Sequence, residues 1–228
     1  MLDLSRLTPA ALKTHPFSWA QIDKLYSVED GAALAASFPH DHFKTVSGYG
    51  GEKNYDYEAR GLVGMGAGTI VFPEALSEAW QRLAQDLSSA DYREAMSQLS
   101  GIDLRDVPME VNVFHYGPGA SLGAHPDLPD KLVTHILYFN ESWDRNDGGC
   151  LNILQRNDPS AVVAEIEPLV GNSAILVRSD NSWHAVTPVV NGCHCSRRSL
   201  TATFYRPGSV SSLWPPGDST ELHGYPLA

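Results

Sequence analysis

A histidine and an aspartate stand two residues apart, at His125 and Asp127. On extended backbone, residues i and i+2 point to the same face, so an imidazole and a carboxylate can converge there on one point. His184, which opens a predicted strand, is a candidate for a third ligand. Two imidazoles and one carboxylate form the facial set that binds iron(II) and leaves coordination positions open. A His-x-Asp pair alone is more often structural, but the three residues together predict a mononuclear metal site.

The last strand signal of the chain, RRSLTATFY, alternates along its length. Arg197 shares one face with Ser199, Thr201 and Thr203, whereas Arg198 shares the other face with apolar residues. A barrel with a polar site inside should turn the polar set inward, and an arginine fork binds a carboxylate through two charge-assisted hydrogen bonds. The alternation therefore predicts that Arg197, and not Arg198, faces such a site.

These side chains must be positioned by short strands in the second half of the chain. Runs rich in Val, Ile, Thr, Tyr and Phe are separated by Gly, Pro and Asn-Gly turn signals, which is typical of an all-β barrel or jelly roll. The predicted strands are Glu110–Tyr116, Val133–Phe139, Cys150–Leu154, Ala174–Val177, Ala185–Val189 and Leu200–Tyr205.

The first hundred residues carry the helix signals. Ser27 followed by two acidic residues predicts a helix start before Ala32–Phe38, and Pro73 is predicted to open a second helix. A third helix is predicted over Asp91–Leu99. The fold class expected is mostly β with flanking α, a jelly roll with N-terminal helices packed on one face. One domain is expected, with a helix-rich part at about 1–105, a core at about 106–207 and a tail at 208–228.

Composition narrows the class of partner. The net charge of −11 argues against a nucleic-acid substrate, because an acidic surface repels phosphate backbones. No apolar run resembles a signal peptide or a membrane span. Three cysteines do not suggest a disulfide framework. We therefore expect a cytoplasmic protein with reduced cysteines.

Four linked blocks between Met109 and Arg206 resemble the 2-oxoglutarate and iron(II)-dependent oxygenases, particularly the prolyl hydroxylase branch. They are VNVFHYGPGASLGAHPD, LVTHILYFNESWD followed by DGGCLNIL, SDNSWHAVTPV, and RRSLTATFYR. Their order and spacing together are highly specific. The resemblance implies a double-stranded β-helix, that is, a jelly roll with the metal near its open mouth.

The resemblance also implies roles for individual residues. By position, His125, Asp127 and His184 are the iron ligands. The residues that match co-substrate-binding positions are Arg197, Ser199, Tyr138, Tyr116 and Asn112. The implied cofactors are iron(II), 2-oxoglutarate and dioxygen, with ascorbate as a stimulant. The implied reaction decarboxylates 2-oxoglutarate to succinate and carbon dioxide while hydroxylating an unactivated C–H bond.

The substrate does not follow from the fold. The expectation preferred from the sequence is a small metabolite such as an amino acid or a natural-product intermediate. A protein side chain of the prolyl type is the alternative, and an exposed channel would favour it. A non-enzymatic, cupin-like barrel that binds a metal or a ligand is the third reading, although it does not need an arginine clamp. Residues 47–64 are a candidate lid over the metal.

Overall fold

The computed structural model describes residues 1–7, 11–48, 54–66, 68–194 and 196–225. These residues form one antiparallel sheet that curls into a nearly closed barrel, and this confirms the predicted double-stranded β-helix. Its strands are β1 (Trp19–Ile22), β2 (Lys44–Gly48), β3 (Tyr55–Val63), β4 (Met109–Tyr116), β5 (Ser121–His125), β6 (Lys131–Tyr138), β7 (Leu151–Leu154), β8 (Val162–Ile166), β9 (Ser173–Val177), β10 (His184–Val186) and β11 (Arg197–Tyr205).

The strand order brings distant parts of the chain together. It runs β1-β9-β6-β11-β4-β3-β5-β10-β7-β8, and β2 pairs with β3 outside this path. β11 therefore lies between β4 and β6, and β10 lies between β5 and β7. Because of this order, the two strand ends that carry His125 and His184 become neighbours although 59 residues separate them in the chain.

Three helices cover the outer face of the sheet: α1 (Val28–Ala36), α2 (Glu78–Ser88) and α3 (Ala90–Ser100). Each begins at a serine whose hydroxyl accepts a main-chain N–H, namely Ser27, Ser77 and Ser89. The prediction that Pro73 opens a full helix was wrong. Residues Pro73–Ala75 form one 3-10 turn, and the helix starts after the cap at Ser77. The apolar helix stripes join the main core cluster, as their spacing predicted.

All six predicted strands exist, with ends that differ by a few residues. The sequence reading missed β1, β2, β3, β5 and β8. β5 begins at Ser121, only four residues before His125. The candidate lid at 47–64 is largely the β2–β3 hairpin, and its residues 49–53 lie outside the described part of the chain.

The C-terminal tail returns over the concave face of the sheet. Its Trp214 donates the indole N–H to Asn112 Oδ1 at 2.7 Å. Lys44 of β2 holds the tail in place, because its ammonium donates to the Leu213 carbonyl and pairs with the Asp218 carboxylate. Leu213 consequently lines a cavity inside the barrel, which we name the central cavity.

Histidines and cysteines outside the site have structural surroundings. His115 and His135 point away from the barrel interior and pack against Tyr225 and Tyr92 respectively. Cys150 is a free, buried thiol, whereas Cys193 is disulfide-bonded, so the expectation of reduced cysteines was wrong for Cys193. Within the described ranges, the three helices are too short or too polar to cross a membrane.

Candidate active site

His125 ends β5 and His184 begins β10, and the two residues are direct partners in the β5–β10 ladder. Their ring centroids lie 4.4 Å apart, and both side chains are buried. Each Nδ1 lies 2.8 Å from a main-chain carbonyl two residues earlier, that of Gly123 or Ser182. A carbonyl can only accept, so each Nδ1 carries the proton and each Nε2 keeps a lone pair for a metal.

Asp127 completes the group on the segment that leaves β5. Lys131 Nζ donates to its Oδ1 at 2.7 Å, and Thr134 Oγ1 donates to its Oδ2 at 2.9 Å. Burial alone would raise the pKa of the Asp127 carboxyl, but the adjacent Lys131 ammonium, which donates to it at 2.7 Å, holds that pKa below its usual range. Asp127 is therefore an ionised carboxylate with a fixed orientation.

The three side chains fit a divalent metal. One ligand atom from each of His125, Asp127 and His184 lies within 4.8 Å of the others, and all three residues are buried. Each carboxylate oxygen has a second lone pair beyond the one that accepts a hydrogen bond. Two neutral imidazoles and one carboxylate on one side of a point are the donors that iron(II) takes, with the opposite side left open.

Arg197 lies at the far end of the same cavity, and only 2% of its surface is exposed. Its Nη1 donates to Ser199 Oγ at 2.7 Å, but its Nε has no hydrogen-bond partner. The hydroxyl of Tyr138 is likewise buried without a partner. Buried polar atoms are normally satisfied, so two such donors on neighbouring side chains indicate a missing acceptor. A carboxylate fits both of them.

The cavity between the two groups has a volume of about 330 Å³. Seven of the eight residues predicted from the sequence line it, namely His125, Asp127, His184, Arg197, Ser199, Tyr116 and Asn112. Tyr138 does not line it but lies directly beneath the Arg197 guanidinium. Burial raises the pKa of Tyr116 and Tyr138 to about 12, despite the nearby Arg197 guanidinium. Both phenols therefore remain hydrogen-bond donors at neutral pH.

Asn112 has a different environment from the one expected. Its amide nitrogen donates to Glu110 at 3.0 Å, and its oxygen accepts from Trp214 at 2.7 Å. Asn112 thus ties the C-terminal tail to the cavity wall. Its function as a ligand for the co-substrate stays a prediction.

A groove of about 700 Å³ opens on the other side of the metal ligands. His125 and Asp127 line both the groove and the central cavity, so the two spaces meet at the metal position. The groove walls include Tyr55, Arg178 and Trp183. Leu128 on its edge is 44% exposed.

Comparison with known proteins finds a family match over part of the chain. Residues 111–205, which contain His125, Asp127, His184 and Arg197, match the model of the 2OG-Fe(II) oxygenase superfamily. This match supports an oxidoreductase that uses iron(II), 2-oxoglutarate and dioxygen, and the buried triad and the unsatisfied arginine are consistent with the first two.

Two curated relatives are prolyl 3-hydroxylases by name. Prolyl 3-hydroxylase OGFOD1 of Mus musculus is 31% identical over 121 residues, which are 51% of this chain and 22% of the mouse protein. The Xenopus laevis protein of the same name is 26% identical over 119 residues, 50% of this chain and 23% of that protein. The chain thus spans less than a quarter of the length of these curated relatives.

Two solved structures share the 2OG-Fe(II) oxygenase fold. A Pseudomonas putida prolyl-4-hydroxylase superposes with a TM-score of 0.57 at 23% identity, covering 89% of this chain and 97% of that one. A Trichoplax adhaerens prolyl hydroxylase, solved with a hypoxia inducible factor peptide fragment, gives 0.56 at 16% identity, covering 90% and 87%.

Several side chains of this oxygenase site were not predicted. Thr134 was within reach of the sequence reading, because it shares a face of β6 with Tyr138. Lys131 carried no signal, since its role depends on the turn that folds it back onto Asp127. Tyr55 and Tyr57 line the cavity from β3, and Leu213 lines it from the tail.

Proposed function

We propose that this protein is a 2-oxoglutarate-dependent iron(II) dioxygenase that hydroxylates a prolyl-type side chain in a peptide or protein. The observation that carries the proposal is the 700 Å³ groove that runs along the outer side of His125 and Asp127. A groove open to solvent suits an extended chain better than a free metabolite. The prolyl hydroxylase names of the relatives point the same way. The preference for a small metabolite, drawn from the sequence, gives way to the alternative.

Each part of the site has a task in this proposal. His125, Asp127 and His184 would hold iron(II), which when bound supplies the activation of dioxygen. Arg197 and Tyr138 would bind the distal carboxylate of 2-oxoglutarate through the donors that now lack acceptors. Lys131 and Thr134 keep the Asp127 carboxylate ionised and oriented. The phenols of Tyr57 and Tyr116 help to close the cavity wall around the co-substrate.

The substrate would approach from the groove, and the co-substrate would occupy the central cavity. The cavity of 330 Å³ is at the small end of ligand sites, which suits a five-carbon diacid. The larger volume lies outside the ligands, where a side chain from an extended peptide could present a C–H bond to the metal. Buried Arg197 disfavours the cupin-like alternative, because a plain metal-binding barrel has no use for an unsatisfied guanidinium.

A substrate screen tests the proposal. The enzyme is incubated with iron(II), ascorbate, 2-oxoglutarate and either proline-containing peptides or free amino acids, and succinate release and the mass of each product are measured. We expect succinate coupled to the gain of one oxygen atom on proline within a peptide. Coupled turnover of free amino acids but not of peptides would return the assignment to a small metabolite.

Two matched variants test whether this protein, and not a contaminating enzyme, releases the succinate. Asp127→Ala removes a metal ligand and should abolish succinate release. Asp106→Ala removes an exposed carboxylate of the same size and should leave the release unchanged. Equal activity in the two variants would contradict the proposed metal site.

A further inference from the structure

A second cavity, of about 590 Å³, lies behind the tail that closes the central one. Its wall is mostly apolar and includes Val71, Phe72, Pro108, Trp214 and Leu222. Trp214 and Asn112 stand between this cavity and the metal site, since Trp214 lines the second cavity and hydrogen-bonds Asn112 in the wall of the first. The tail therefore divides the concave face into two compartments.

Glu110 lies at the base of this second cavity, and only 1% of its surface is exposed. One hydrogen bond holds it in the described part of the chain, from Asn112 Nδ2 to its Oε2 at 3.0 Å. In that part of the chain no lysine, arginine or histidine pairs with Glu110, whereas Asp218 on the same wall is paired with Lys44. Because its one partner is a neutral amide, the Glu110 side chain can accept further hydrogen bonds, and a cationic group that enters the cavity would give it a charge-assisted one.

The surroundings of Glu110 define what that cation looks like. A hydrated metal ion would gain one carboxylate and would meet apolar walls. An organic cation on an apolar stem matches both features, because its stem packs against the walls while its head meets the carboxylate. The net charge of −11 also favours a positively charged ligand over an anion.

We infer that the cavity at Glu110 binds an alkylammonium or guanidinium group on an apolar stem, such as the side chain of lysine or arginine. The group donates charge-assisted hydrogen bonds to the Glu110 carboxylate, and the stem contacts Val71, Phe72 and Trp214. The ligand is either a basic residue within a peptide or a free amine. The binding does not require iron(II) or 2-oxoglutarate.

Calorimetric titration of the metal-free protein tests this inference, with three probes. N-acetyl-lysine amide represents a basic residue in a chain, n-pentylamine represents a free amine, and N-acetyl-norleucine amide is a neutral match in shape. We expect at least one of the two cations to bind about tenfold more tightly than the norleucine probe, as a hydrogen bond between charged groups implies. The tighter of the two cations identifies the source. Equal affinity for the charged and neutral probes would overturn the inference.

A charge-neutral variant links the binding to Glu110. Glu110→Gln keeps an acceptor for Asn112 and removes the charge, so the preference for cations should disappear. Glu29→Gln, a change at an exposed glutamate of α1, should leave it intact. A preference that survives in Glu110→Gln would show that the site is elsewhere.

Two variants at the rim avoid any change in the buried wall. Val210 lines the same cavity and is 59% exposed, so its replacement should not disturb folding. Val210→Asp should tighten the binding of the cationic probes and Val210→Lys should weaken it, each by up to about fivefold. Identical affinities in the two variants would contradict binding in this cavity. None of these measurements uses turnover, so they stand or fall independently of the proposed oxygenase activity.

Discussion

At the scale of single residues, the site is most informative where its polar atoms lack partners. Arg197 Nε and Tyr138 Oη are buried, adjacent and unsatisfied, although buried polar groups are almost always paired. The metal triad shows the opposite arrangement, since each imidazole and the carboxylate already have partners that fix their orientation. The triad is thus oriented by its hydrogen bonds, whereas the donors at Arg197 and Tyr138 still lack acceptors.

The first prediction separates the two adjacent arginines. Arg197→Ala should raise the apparent constant for 2-oxoglutarate more than a hundredfold, because a buried guanidinium–carboxylate pair that loses one partner costs about 3 kcal/mol. Arg198→Ala should change it little, since the Arg198 side chain lies over Phe38 on the helix-covered face. The measurement is succinate release at increasing 2-oxoglutarate. A large effect confined to Arg198→Ala would refute the assignment.

Residue-scale prediction succeeded where alternation or a motif applied. The polar face of β11 points into the cavity as its alternation predicts, and His125, Asp127 and His184 converge as extended backbone requires. Lys131, Leu213 and Trp214 could not be found in this way. Their contacts depend on a turn and a tail whose paths no local pattern specifies.

At the scale of elements, the interface between α3 and β6 contains a buried, neutral histidine. His135 Nδ1 and the Tyr92 hydroxyl share a hydrogen bond at 2.9 Å, and His135 Nε2 is buried without a partner. Burial lowers the pKa of His135 to about 3. The helix layer is therefore attached to the sheet by a group that must stay uncharged.

This interface predicts a loss of stability in acid. In the unfolded chain His135 takes up a proton near its ordinary pKa of 6.5, whereas the folded chain resists protonation down to about pH 3. The stabilising contribution of neutral His135 is fully present above pH 6.5 and is lost as the pH falls from 6.5 towards 3. At pH 5 the contribution of His135 to this loss should be about 2 kcal/mol.

Urea unfolding at pH 7 and pH 5 measures that contribution. His135→Asn keeps an acceptor for Tyr92 and does not titrate, so its stability should fall by about 2 kcal/mol less than that of the wild type. The exposed His40 provides the control, and His40→Asn should lose as much as the wild type. An unchanged loss in His135→Asn would show that other groups dominate the acid response.

A second element-scale prediction concerns the tail clamp. Lys44 is 7% exposed and binds both the Leu213 carbonyl and the Asp218 carboxylate. Lys44→Met should weaken the attachment of the tail, and proteolysis after residue 208 should accelerate about tenfold, which corresponds to about 1.4 kcal/mol of local opening. Lys13→Met, at an exposed lysine, is the control. Equal cleavage rates would mean that Trp214 and Asn112 hold the tail without Lys44.

The predictability of the elements follows from their burial. The strands β4, β6 and β11 carry continuous signals because they are long and face the core, and all were predicted. β3 and β5 contain glycine or polar residues that face the cavity, so their sequences resemble loops. β3 and β5 were therefore missed, although β4, β6 and β11, which line the same cavity, were predicted.

At the scale of the whole molecule, the site is assembled by the order of the strands in a single curled sheet. His125 and His184 come from the paired strands β5 and β10, Asp127 from the segment after β5 and Arg197 from β11, and the interior of the barrel joins them. Helices are confined to the outer face, where they stiffen the sheet without approaching the metal. The mouth of the barrel is therefore bordered by the β2–β3 hairpin and the C-terminal tail, and not by helices.

The last prediction concerns the melting temperature of the whole protein, which should rise when a metal binds. A metal that binds the folded state alone stabilises it by about 2.7 kcal/mol at a hundredfold excess over its dissociation constant, which raises Tm by about 5–10 °C in a chain of this size. Manganese(II), which takes similar ligands without redox turnover, is the practical probe. Asp127→Ala should lose this shift because the triad is incomplete, whereas Asp106→Ala should keep it. Adding 2-oxoglutarate should raise Tm again in the wild type but not in Arg197→Ala, since the new acceptor then meets no guanidinium. A manganese shift of the same size in Asp127→Ala would place the metal outside the triad. If the wild type shows the manganese shift but no 2-oxoglutarate shift, the metal assignment stands and only the assignment of Arg197 to 2-oxoglutarate fails.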